Sequence, residues 1–114
     1  MSDQLDNQIV KLVMCSFPDI GKARQIGTHV IEKQLAACVN LIPGIESIYS
    51  WKGKIESGKE VLCLFKTTNQ NYPRLEAEIL DLHPYETPEI LLLDIGGGSR
   101  DYLDWVFSSL ASCD

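Results

Sequence analysis

Long apolar runs are missing from this 114-residue chain. Its hydrophobic stretches fall far short of the ~20 residues that cross a bilayer, so no spanning helix is expected. The opening "MSDQLDNQ" is polar and acidic, unlike the basic and then apolar start of a secretory peptide. Basic charge is scarce as well: 10 Lys and Arg stand against 16 Asp and Glu, a formal charge of -6. Without a basic stripe, neither nucleic acid nor an anionic membrane is an expected partner. Closely spaced cysteines are lacking too. Cys15, Cys38, Cys63 and Cys113 lie too far apart for a CxxC-type zinc motif. Three of them sit inside apolar segments, where a free thiol behaves as a small hydrophobe. Together these absences describe a reduced, cytoplasmic protein without disulfides. With only two histidines and no visible Ser-His-Asp set, an enzyme is not expected.

What is present is ordinary globular composition, 45% hydrophobic and 23% charged, in a chain long enough to bury its own core. Residues 1–8 read as a flexible lead and 9–114 as one domain. "IVKLVMCSF" (9–17) is β-rich and apolar on both faces. Pro18-Asp19 opens a helical pattern in Ile20, Ala23, Ile26, Val30 and Ile31 that runs to about Leu35, with His29 facing solvent. From "ACVNLI" to "CLFKT" two strands form a hairpin, kinked at Pro43-Gly44. Lys52-Gly53 and Ser57-Gly58 both suit its turn. Asn71 and Pro73 begin a second helix carrying Leu75, Ile79 and Leu82 on one face. "EILLLDI" (89–95) is a buried strand, broken by Gly96-Gly97-Gly98. Ser99 then caps a last helix that presents Tyr102, Val106 and Leu110 inward. The glycine loop could cradle a phosphate, but it does not match GxxxxGK[ST] and reads as a connector.

The order β-α-β-β-α-β-α, with right-handed crossovers, specifies an α+β, ferredoxin-like split-βαβ sandwich with a C-terminal helix. Two crossover helices cover one sheet face. Strands 1, 3 and 4 are apolar on both, which a bare antiparallel sheet does not tolerate. A homo-oligomer, its sheets packed together and its long hairpins reaching across subunits, is therefore expected.

The stretches "QLAACVNLIPGIESIYSWKGKIE", "LFKTT", "LHPYETPEILLL" and "DYLDW", at these spacings, resemble the CutA family of divalent-cation tolerance proteins. The likeness extends from about Val10 to Leu110. It implies a ferredoxin-like cytoplasmic homotrimer, associated with copper and other divalent cations and similar in fold to the trimeric PII signalling proteins. It names no protein partner. It also implies metal positions at Cys15, at His83 and at the residue before that histidine. In this chain the preceding residue is Leu82, where some members carry a second histidine, and one thiol with one imidazole is too few for a closed zinc site.

Geometry supports the pairing independently. In a split-βαβ sheet strand 1 runs antiparallel to strand 4, so Cys15 lies close to the chain just after His83. Thiolate plus imidazole suits copper or zinc better than magnesium or calcium. The structural alternative makes Cys15 a core residue and His83 a cap at the helix C-terminus. Pro84 stops the helix and Pro88 starts the strand. Trp51, Lys66, Tyr85 and Glu86 are candidates for a crevice between subunits; a tyrosine packed at an interface and a solvated carboxylate are the favoured reading. The expected function is metal tolerance by binding or regulation. The alternative is a PII-like sensor holding a small metabolite or nucleotide between subunits.

Overall fold

A computed structural model describes residues 8–112. The flexible lead expected over residues 1–8 lies outside the described residues except for Gln8, whose amide donates to Gln70 Oε1 at 2.9 Å. Cys113 lies outside them too. The elements are β1 (Val10–Phe17), α1 (Ile20–Glu32), β2 (Cys38–Trp51), β3 (Lys54–Thr68), α2 (Tyr72–Leu82), β4 (Ile90–Asp94) and α3 (Arg100–Ser108). The sheet runs β2-β3-β1-β4 with every neighbouring pair antiparallel. This is the α+β split-βαβ sandwich that the element order specifies.

Alternation places Val13, Cys15 and Phe17 of β1 and Val61, Cys63 and Phe65 of β3 on one face. There they join Ala23, Ile26 and Val30 of α1 with Leu75 and Ile79 of α2 in a single core. The two helices are also clasped outside it. His29 Nε2 of α1 and Lys33 Nζ at its C-cap meet the same Oε1 of Glu78 on α2, at 2.8 and 3.2 Å. His29 is thus engaged, not the idle solvent-facing residue expected from its polar neighbours.

Helix α1 stops three residues before the expected Leu35. Gln34 adopts φ 59, its N–H bonds the Ile31 carbonyl at 2.9 Å, and the Leu35 N–H bonds the Val30 carbonyl at 3.1 Å. That is a Schellman ending with glutamine in the position usually given to glycine, so no glycine announces it. Leu35 is the buried apolar residue that follows. The hairpin turn is Lys52-Gly53. Trp51 opposes Lys54, and both turn residues have positive φ, 53 and 80, as a two-residue type I′ turn requires. Ser57-Gly58 lies inside β3. Between Ile42 and Ile45 the register shifts, with Gly44 at φ 76: the kink expected at Pro43-Gly44 is a bulge.

The 14 and 15 residues of β2 and β3 far outrun the 8 of β1. At ~3.3 Å per residue the hairpin projects well past the sheet, giving extents of 54 × 27 × 22 Å. Helix α3 sits on the opposite sheet face and buries Val106. Tyr102, expected to face inward, is 42% exposed and leans on Trp105 at 5.7 Å between ring centroids. A helix of only 9 residues cannot turn every apolar side chain toward a sheet it crosses with one face.

Candidate functional site

The site residues lie where the end of β1 meets the loop joining α2 to β4. Pro84 bars His83 from helical backbone. His83 is accordingly the extended C-cap of α2 (φ -68, ψ 136), its own N–H bonded to the Ile79 carbonyl. That turn drives the imidazole inward, to 8% exposure. Its Nε2 lies 2.7 Å from the Ser16 carbonyl, and the Tyr85 N–H reaches its Nδ1 at 3.0 Å. An N–H can bond Nδ1 only if that nitrogen is unprotonated, so the proton sits on Nε2 and is donated to Ser16. The ring also stacks on Phe17, centroids 4.6 Å apart and planes at 19°.

His83 is therefore a neutral hinge pin with both nitrogens occupied. Burial disfavours the imidazolium and lowers its pKa from 6.5, against weaker opposing pulls from the Ser16 carbonyl and Glu60. A cationic ring stabilising the helix dipole, the structural role expected for it, is not what this environment favours.

Cys15 is one residue from the carbonyl that His83 holds. Its side chain is fully buried in the core, and its thiol leans toward the Ser16 carbonyl at 3.8 Å. Burial pushes the thiol up to about 12, with the nearby Cys63, Glu89 and Glu60 acting in the same direction. Directly across the β1–β3 ladder stands Cys63, also fully buried, its thiol pushed by burial to about 11. Cys15, Cys38 and Cys63 are all free thiols. Leu82, the residue before His83, is 37% exposed. It lines a shallow surface pocket of about 110 Å³ with Lys22, Gln25, Ile26 and His29.

Of the crevice candidates, Tyr85 joins this cluster. Its hydroxyl donates to Glu60 Oε2 at 2.7 Å, and burial, followed by that bond, raises its pKa. Glu86 is exposed on the same loop. Trp51 stands at the hairpin turn with the Lys52 ammonium 5.8 Å from its ring. Lys66 belongs to the other sheet face, where its ammonium meets Cys38 Sγ at 3.8 Å. Within one chain, Trp51 and Lys66 thus make their contacts away from His83. Sequence reasoning does not single out Cys63 or Glu60. Period-2 alternation can put Cys63 on the core face, but only the register of β3 against β1 places it opposite Cys15.

Cys15 and Cys63 thus face each other as two buried thiols, a soft type of side chain. Among the described residues, no three His, Cys, Asp or Glu side chains converge to hold a metal ion. The model of the CutA1 divalent ion tolerance protein matches residues 11–109. The chain belongs to the CutA1 family. The divalent-cation tolerance protein CutA of Thermus thermophilus is 44% identical over 96 residues, covering 84% of this chain and 93% of that one. A solved CutA1 structure from Thermus thermophilus superposes with a TM-score of 0.88 at 41% identity, covering 90% of this chain and all of that one (100%). A CutA structure from Archaeoglobus fulgidus, described as a periplasmic divalent cation tolerance protein, gives 0.86 at 33% identity over 89% of this chain and 98% of its own. CutA1 membership confirms the family read from the motifs. Among the described residues, no helix is long and apolar enough to cross a membrane.

Proposed function

We propose that this CutA1-family chain works as a cytoplasmic homotrimer that answers copper or other thiophilic cations by binding and regulation, not by catalysis. The observation that carries the reading is Cys15: a free, fully buried thiol in a chain belonging to a divalent-cation tolerance family. The anchoring ligand is that thiol. The pairing with His83 fits less well, because each ring nitrogen already has a partner at 2.7 or 3.0 Å and would have to surrender it. A bound cation would supply a positive charge in the core and displace the thiol proton. Trimer formation is supported by apolar side chains left uncovered on a single chain, from Ile48, Trp51 and Ile55 on the hairpin to Leu91 and Leu92 on β4. Cytoplasmic location is supported by the free thiols. Anaerobic titration with Cu(I) tests the reading. Sub-micromolar affinity that Cys15→Ser weakens at least about tenfold is expected, and equal affinity of the two proteins would reject it.

A further inference from the structure

We infer that Cys15 and Cys63 form a two-thiolate site for a soft monovalent d10 cation, Cu(I) in the first instance, across the β1–β3 ladder. This rests on the proposed metal-response reading and names the second ligand. The two residues are direct partners in the antiparallel register, so their side chains leave the same sheet face side by side. Both are fully buried in the core, and neither is in a disulfide. No His, Asp or Glu completes a three-ligand group with them among the described residues. His83, the other candidate, has spent Nε2 on Ser16 and Nδ1 on Tyr85.

Ligand number then selects the ion. Zinc wants four ligands in a tetrahedron, whereas thiolate pairs satisfy the soft, low-coordinate Cu(I). Span selects metal over disulfide. Opposed residues of an antiparallel pair hold their Cβ atoms about 4.5–5.5 Å apart, wider than the ~3.8 Å a disulfide prefers. A linear sulfur–metal–sulfur unit with bonds of ~2.3 Å separates its sulfurs by about 4.6 Å, which side-by-side thiols on opposed strands can reach. The step balances without an oxidant: Cu(I) and two thiols give a two-coordinate cuprous dithiolate of charge -1 and two protons released to solvent.

The test uses the full chain with Cys38 and Cys113 replaced by serine, so that only the core pair can bind a soft ion. Anaerobic Cu(I) competition with a chromophoric chelator is run on this protein, on its Cys63→Ser derivative and on its His83→Gln derivative. Proton release and copper-edge X-ray absorption are recorded on the first. Expected are one ion per chain with about two protons released, a two-sulfur, nitrogen-free coordination shell, and affinity weakened at least about tenfold by Cys63→Ser but retained by His83→Gln. Release of about one proton, a sulfur–nitrogen shell, or binding kept in Cys63→Ser and lost in His83→Gln would overturn the dithiolate while leaving the metal-response reading standing. Absence of Cu(I) binding in the parent would overturn both. The spectrum and the proton count need no variant at Cys63, so a derivative that fails to fold does not decide the outcome.

Discussion

At the scale of single residues, His83 shows how an identity can be legible while its role is not. The sequence marks it as one of two histidines, beside a proline that fixes its backbone. Whether its nitrogens are free depends on Ser16, which is 67 positions away. Because the folded pKa lies below the ordinary 6.5, the unfolded chain takes up the proton first as pH falls. The stability contributed by neutral His83 is therefore complete above 6.5 and lost progressively below it. Melting temperatures of the wild type and His83→Gln, followed from about pH 8 to about pH 5, should converge as the pH drops. Parallel curves would mean that His83 keeps its proton balance on folding. Glu60, Tyr85 and the Ser16 carbonyl are the charged and polar groups near the ring, and the His83→Gln substitution leaves all three in place.

At the scale of elements, strand and helix identities follow from periodicity, and the errors lie at their ends. The periodicity overextends helix α1 because a glutamine occupies the left-handed position that terminates it. Left-handed backbone costs a residue with a Cβ roughly 1–2 kcal/mol, and a β-branched side chain is worse suited still. Gln34→Gly should accordingly stabilise the protein by up to about 1 kcal/mol, with part of the gain lost to unfolded-chain entropy. Gln34→Val should destabilise it by about 1 kcal/mol. Equilibrium denaturation measures both, and two shifts of the same sign would show that the backbone at 34 does not set the helix end. The hairpin turn is undecidable from sequence for a related reason. Lys-Gly and Ser-Gly are both permitted turn pairs, and the choice falls to the cross-strand register, which seats Ser57 and Gly58 opposite Ile48 and Ser47.

At the scale of the whole molecule, the question is what covers the apolar surface. A single chain leaves Ile55 76% exposed and Ile48 69% exposed on the projecting hairpin. Both edge strands, β2 and β4, have a free side. Exposed edges and apolar arms of this kind favour pairing with another copy. Sedimentation velocity at micromolar concentration should give a species of three chains, and Ile48→Glu with Ile55→Glu should shift it toward smaller species. A stable single chain in the wild type would refute the trimer.

The sequence by itself determined the element order, the apolar faces and the family, because these are written in local periodicity and in motifs that need no partner to be read. It also brought Cys15 to the neighbourhood of His83, since the order of strands in a split-βαβ sheet follows from connection rules. What only the tertiary structure decided is which atoms meet. The imidazole bonds Ser16 and Tyr85, and the thiol across the ladder from Cys15 is Cys63. Those pairings depend on register and on the direction of one turn, and a shift of a single residue would send each side chain to the opposite face.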